Sequence, residues 1–233
     1  MKLLIFLITL SSFSQIKTAS IEYNLTIGED DLYSNGDLKV AYKNAAQNAN
    51  QLVFKLNVNE KEICFFSENK LENSDSGVEL AKIFSGSKNP FYMLLNTNKI
   101  YQSFDDLILG KYTVEKQISK YEWKLENESK IISGFKCFKA VTTDVVQNRS
   151  GKFNFLVTAW YCPEIPIPYG PLLYNGLPGL ILELNRRNVV YGAIKIDLNP
   201  KEILTILKPD LSIIKTEEEI TKMREDYINS IKD

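Results

Sequence analysis

Short runs of alternating apolar and polar residues, separated by breaks of two to four polar residues, recur along most of the chain and restrict it to one broad architecture. Residues 51–58 and 61–67 alternate about Asn59-Glu60, and residues 91–95 and 99–104 flank Asn96-Thr97-Asn98. Residues 135–146 and 152–162 face each other across Asn148-Arg149-Ser150-Gly151, and 180–184 and 189–198 surround the polar turn 185–188. Residues 21–27, 111–116, 121–126 and 130–132 supply further strands. Turns this short join antiparallel neighbours, whereas a parallel sheet needs crossover helices. The expected fold is mainly β: an antiparallel meander, as a curved sheet or half-barrel packed on a helix. At the level of fold this resembles the half-barrel of periplasmic lipoprotein carriers and sensors. Helical signals are few: residues 37–48, residues 76–84, and a C-terminal segment. In the last, Thr216 and Glu219 form a capping box, and Ile220, Met223, Tyr227 and Ile231 recur at helical spacing, which predicts an amphipathic helix docked by one face. The stretch 69–87 is polar and reads as a loop around the second helix.

The N-terminus reads as an export signal. Lys2 precedes the apolar run 3–10, and Ser12-Phe13-Ser14 is a small-x-small site ahead of Gln15. Residues 1–19 are assigned to the signal and 20–233 to one β-rich domain. The apolar run is shorter than the roughly 20 residues a membrane helix requires. A periplasmic or secreted, oxidising location is therefore expected, with no transmembrane segment.

Composition narrows the chemistry. The 233 residues include no histidine, which excludes Ser-His-Asp and Cys-His mechanisms and histidine-ligated metals within the chain. The 28 Lys+Arg balance 29 Asp+Glu, so no basic excess points to nucleic acid. The three cysteines, Cys64, Cys137 and Cys162, have no zinc-type spacing. No catalytic residue, metal ligand or cofactor is nominated. Glu183 in an apolar strand and Glu164 are the carboxylates on which an alternative hydrolase reading would rest.

The segment 159–184, AWYCPEIPIPYGPLLYNGLPGLILEL, stands apart. Pro163, Pro166, Pro168 and Pro171 each fix φ and remove a donor, so this stretch cannot enter a sheet interior. Leu177 to Leu180, with Pro178 and Gly179 in the centre, fits a type II turn. The near-continuous apolar run that follows predicts an interior strand. Trp160, Tyr161, Tyr169 and Tyr174, with Gly176, Leu177, Pro178 and Gly179, form a candidate ligand- or partner-binding edge.

On these residues the chain resembles the GLPGLI family of secreted bacterial proteins, found chiefly in Bacteroidetes. Gly176 to Ile181 spell the motif, and the flanks agree: Cys137 with Lys139-Ala140, Ala159-Trp160-Tyr161, Glu164-Ile165-Pro166, Gly170-Pro171 and Leu182-Glu183. The likeness is dense over about residues 134–198, and Cys162 stands where Thr or Ser would be expected. It implies a lineage and a compartment but no reaction.

Hairpin arithmetic gives one further expectation. With Arg149 and Ser150 as the central turn residues, Asn148 opposes Gly151, Ala140 opposes Ala159, and Phe138 opposes Tyr161. Cys137 then meets Cys162 at a non-hydrogen-bonded position, where Cα atoms lie ~4.5 Å apart, which predicts a disulfide. The functional expectation is a non-enzymatic envelope protein that binds or carries an apolar ligand or a protein partner. A structural or assembly subunit, with the proline-rich segment at its interface, is the third reading.

Overall fold

A computed structural model describes residues 16–68, 76–148 and 151–231. Most of the expected signal (1–15), part of the polar loop (69–75) and the turn pair Arg149-Ser150 lie outside the described residues.

The strands are β1 (Ala19–Ile27), β2 (Val53–Val58), β3 (Glu62–Ser67), β4 (Phe91–Leu94), β5 (Lys99–Asp106), β6 (Gly110–Gln117), β7 (Lys124–Ile132), β8 (Phe135–Asn148), β9 (Gly151–Cys162), β10 (Leu180–Arg186), β11 (Val189–Leu198) and β12 (Ile214–Lys215). The helices are α1 (Lys39–Asn48), α2 (Ser76–Ser85) and α3 (Glu217–Ser230). The two short strands expected at 121–126 and 130–132 are one strand, β7, with a register irregularity between Leu125 and Ser129.

All twelve strands lie in one open sheet of order β12-β6-β5-β4-β3-β2-β1-β11-β10-β9-β8-β7. The meander is present, but the first strand sits in its middle, paired with both β2 and β11. Two antiparallel arms run outward from β1, one through β2 to β6 and the other through β11 to β7. The short β12–β6 pairing is parallel.

This order requires a curled sheet. β6 and β7 are ten strand positions apart, about 48 Å if the sheet were flat. The seven residue steps from Gln117 to Lys124 reach at most about 25 Å. The sheet must therefore bend its two arms toward each other, as a half-barrel does.

Alternation assigns the faces. Ala19, Ile21, Tyr23 and Leu25 of β1 are fully buried on the inner face, in one core with Phe54, Leu56, Phe65 and Tyr191 and with Val78 and Ala81 of α2. Tyr191 OH donates to Ser85 O at 3.2 Å and Tyr42 OH to Gly28 O at 2.8 Å, which ties α2 to the sheet and α1 to the end of β1. A helix pair, rather than a single helix, thus fills the inside.

The C-terminal segment clips the other arm. Residues 200–210 cross the outer face over a small cluster of Cys64, Phe66, Tyr92 and Tyr101. Asn57 Nδ2 donates to Thr205 O at 2.8 Å, Lys208 pairs with Glu62 at 2.6 Å, and Thr113 Oγ1 donates to Asp210 O at 2.8 Å. β12 then covers part of the edge of β6. α3 begins at the expected capping box: Thr216 N donates to Glu219 Oε2 at 2.7 Å and Glu219 N to Thr216 Oγ1 at 3.1 Å. Its predicted apolar face docks only in part. Ile220 is buried against Tyr112 and Val114, whereas Tyr227 and Ile231 are exposed, because the helix runs past the sheet after its first turns.

A cavity beside the proline arch

The proline-rich segment folds as local chemistry requires. A proline offers no N–H, so the neighbouring amides make the turns. Ile167 N donates to Ile165 O and Tyr169 N to Ile167 O, each at 2.8 Å, closing three-residue turns centred on Pro166 and Pro168. Ile165 and Ile167 point into the core while Pro166 and Pro168 stay exposed. Ile181 N donates to Tyr169 O at 3.1 Å, and Tyr23 OH donates to Ile181 O at 2.8 Å, so the arch is anchored to the central strand.

The expected type II turn is replaced by another turn. Gly179 N donates to Leu177 O at 2.9 Å around Pro178, and Leu180 N donates to Ile165 O rather than to Leu177 O. Gly179 has φ of 158° instead of the type II value near 80°. The reason is tertiary: a Cβ on Gly179 would lie 2.1 Å from the Cys162 carbonyl oxygen, so this glycine lets the arch lie on the end of β9. Gly176, at φ 91°, instead uses glycine's conformational freedom beside the Trp123 ring.

The eight residues of the candidate binding edge do not form one surface. Tyr161, Tyr174, Leu177 and Gly179 are buried, Tyr169 is half-buried, and Gly176 and Pro178 are exposed. Trp160 faces away from Tyr161, since adjacent strand residues point to opposite faces. On that side Lys130 Nζ sits 4.4 Å from the Trp160 ring and pairs with Glu183 at 2.8 Å. Glu183 is thus a partnered carboxylate on the outer face, and Glu164 is exposed.

The hairpin register is as expected. Ala140 opposes Ala159, Phe138 opposes Tyr161, and Asn148 opposes Gly151. The disulfide is not formed: Cys137 and Cys162 are buried free thiols, as is Cys64. The ladder stops at Phe138–Tyr161, one step short of the cysteines. Cys137 Sγ lies 3.6 Å from Phe135 O, while Cys162 ends β9 opposite Leu180 and its carbonyl accepts from Ile165 N at 3.3 Å. Burial pushes the Cys137 thiol up to about 12, with Cys162 adding to the effect.

Beyond Tyr169 the arch forms one wall of a cavity of about 260 Å³. Residues 172–175 and Arg186 of β10 stand on one side. Phe91, Ile100, Gln102 and Lys116, from β4, β5 and β6, stand on the other, and Tyr121 lies on the β6–β7 link. This is where the curl brings the two arms together. Arg186 Nε donates to Asp144 Oδ2 at 2.7 Å, and Tyr174 OH donates to the same oxygen at 3.0 Å. Tyr121 stacks on Tyr174 with centroids 4.6 Å apart, and Trp123 Nε1 donates to Asn175 O at 2.8 Å. Burial raises the Tyr174 hydroxyl well above its ordinary value. Leu172 and Leu173 are both left-handed, at φ 55° and 58°, a conformation that costs a non-glycine residue roughly 1–2 kcal/mol. Asn175 Nδ2 holds this turn through Leu173 O at 3.1 Å and Ser119 O at 3.2 Å.

Of the sequence-nominated residues, Tyr174 alone lines this cavity. Tyr169 lines a separate cavity of about 400 Å³ with Ile16, Val58, Leu95 and Pro166 to Pro168. Sequence reasoning missed Arg186, which reads as part of a polar turn, and Asp144, a lone carboxylate in a Thr/Val strand. The one available signal was that Asp144 lies on the inward alternation of Ala140 and Thr142. Among the described residues no group of three or more His, Cys, Asp or Glu side chains is placed to hold a metal ion, and no helix is long and apolar enough to cross a membrane.

Two solved structures are similar, described as "Structure of PNGF-II in C2 space group" and "Structure of PNGF-II in P21 space group". Their TM-scores are 0.53 and 0.52 at 18% identity, and each alignment covers 89% of this chain. They cover 32% and 33% of the other chain, so this chain spans about a third of the length of those structures. Identity this low shows a shared β fold. No curated protein matches the sequence. Residues 151–183, which run from β9 through the arch into β10, match a family described as "Protein of unknown function (Porph_ging)".

Proposed function

We propose that the chain is an exported GLPGLI-type envelope protein, with residues 20–233 as one domain, acting as a non-enzymatic binding module whose ligand enters the cavity beside the arch. The carrying observation is the Asp144–Arg186–Tyr174 cluster. It holds a cation in place at a cavity wall with backbone strain in the adjacent turn, an arrangement typical of preorganised sites. The GLPGLI string and the leader-like N-terminus support the lineage and the export. The half-barrel interior is occupied by α1, α2 and the arch, which favours a small ligand over a long apolar one. The hydrolase reading loses ground because Glu183 is taken up by Lys130.

Native mass spectrometry of protein purified from its own cells tests this reading. The wild type should carry a bound mass that Ile100→Trp, which fills the cavity, lacks. A bound mass that persists in Ile100→Trp, or none in either protein, would overturn it. N-terminal sequencing of the exported protein should find the chain starting between Gln15 and Ser20.

A further inference from the structure

We propose that Arg186 anchors a carboxylate in this cavity, so that the ligand is a small organic acid with an apolar or aromatic body. The inference rests on the binding reading above and names its chemistry.

Arg186 is only half engaged. Its Nε is fixed on Asp144, and neither terminal amino group has a hydrogen-bond partner among the described residues. A guanidinium braced on one side presents a planar pair of donors on the other, which matches a carboxylate better than a single charge does. The lining agrees in sign: it includes Lys116 and Arg186 but no Asp or Glu. Lys116 is itself paired with Glu217 at 2.9 Å and its side chain is 46% exposed, so it guards the rim rather than the floor. Phe91, Ile100 and Leu172 offer apolar surface to the rest of the ligand. The 260 Å³ volume equals that of roughly nine waters in the liquid. That suits a carboxylate with one side chain. Such a group occurs in free organic acids and at peptide C-termini.

Isothermal titration calorimetry with N-acetylphenylalanine, its primary amide, and a tetrapeptide ending in Phe with a free C-terminus tests the inference. The acid should bind at least tenfold more tightly than the amide, and Arg186→Lys should remove most of that preference. Arg186 also braces Asp144, so a second variant guards against simple misfolding. Ile100→Trp keeps the guanidinium and should abolish acid binding while circular dichroism stays unchanged. A tetrapeptide that binds more tightly than the acetylated amino acid supports the inference with a chain terminus as the source, and equal binding supports it with a free acid. Acid and amide binding equally would overturn the carboxylate inference and leave the binding reading standing. Acid binding that survives Ile100→Trp, or no heat from any probe, would overturn the inference too, and the native mass measurement then judges the broader reading alone.

Discussion

Arg186 of β10 and Asp144 of β8 pair across the intervening strand β9, with Nε and Oδ2 2.7 Å apart. The same oxygen accepts the Tyr174 hydroxyl, so one carboxylate joins the sheet to the arch. Both charged side chains are largely shielded, at 28% and 20% exposure, so the pair is worth more than a surface ion pair.

Asp144→Asn keeps the shape but leaves Arg186 without its counter-charge. We expect a loss of about 2 kcal/mol, in the range of charge-assisted hydrogen bonds. Tyr174→Phe removes a single hydroxyl and should cost about 1 kcal/mol. Because both act on one oxygen, the double variant should fall short of the sum. Urea denaturation of the four proteins of this cycle measures it, and strict additivity would contradict the shared-oxygen geometry.

The two motif glycines should fail to different degrees. Gly179→Ala would place a Cβ 2.1 Å from the Cys162 carbonyl, a backbone atom that cannot step aside. We expect a loss above ~3 kcal/mol or no folded protein. Gly176→Ala meets only ordinary contact, with the Trp123 ring at 3.7 Å, and should cost the left-handed penalty of about 1–2 kcal/mol. Thermal melts that rank the two in the opposite order would show that the turn's geometry is misassigned.

The thiols should be silent in the folded protein. Burial pushes Cys64 up to about 11 and Cys137 up to about 12, and also raises Cys162. At pH 8 iodoacetamide should label none of them natively and all three after unfolding without reductant. One label per chain after unfolding would reveal a Cys137–Cys162 bridge. The shifts also have a sign in stability. Folded values above the ordinary thiol value of 9.0 mean that the contribution is complete below about pH 9 and is lost as pH climbs toward 12. Tyr191, pushed up to about 12 by burial, acts in the same direction from about pH 10. Denaturation midpoints should hold steady through neutral pH and fall on the alkaline side.

The outer strap should loosen in acid. Hydrogen bonds from Lys208 and Tyr92 hold the Glu62 carboxyl below its ordinary value of 4.5. A depressed folded value means that the contribution is complete above that pH and is lost as pH falls through the folded value. Amide hydrogen exchange across residues 200–210 should accelerate relative to the inner strands on acidification, as the Glu62 carboxyl takes up a proton. In Glu62→Gln the strap should exchange faster at every pH, with the acid step gone.

Much of the fold is legible in local chemistry. The alternation about Asn59-Glu60 gives the β2–β3 hairpin, and the turn at 148–151 places Ala140 against Ala159 as counted. The capping box starts α3 where Thr216 and Glu219 require it. The candidate site is far less legible. Tyr174 is visible as an aromatic in an unusual segment, but of its neighbours in the motif Leu177 and Gly179 are buried while Gly176 and Pro178 are exposed away from the cavity lining. Gly179 is there for a close approach that no turn rule anticipates. Arg186 and Asp144 belong to ordinary strand ends, 42 positions apart, and nothing in either stretch marks them as partners.

The sequence by itself determined which residues alternate, where the chain reverses and where the last helix begins, because turn preferences, capping and side-chain period act over a few residues. Only the tertiary structure decided that β1 lies between two arms, that the arms curl until β10 faces β5 and β6, and that a half-buried arginine meets its aspartate at that seam. Those outcomes depend on burying the inner face of one continuous sheet around its helices and the arch, a requirement on the whole chain that no short stretch of it records.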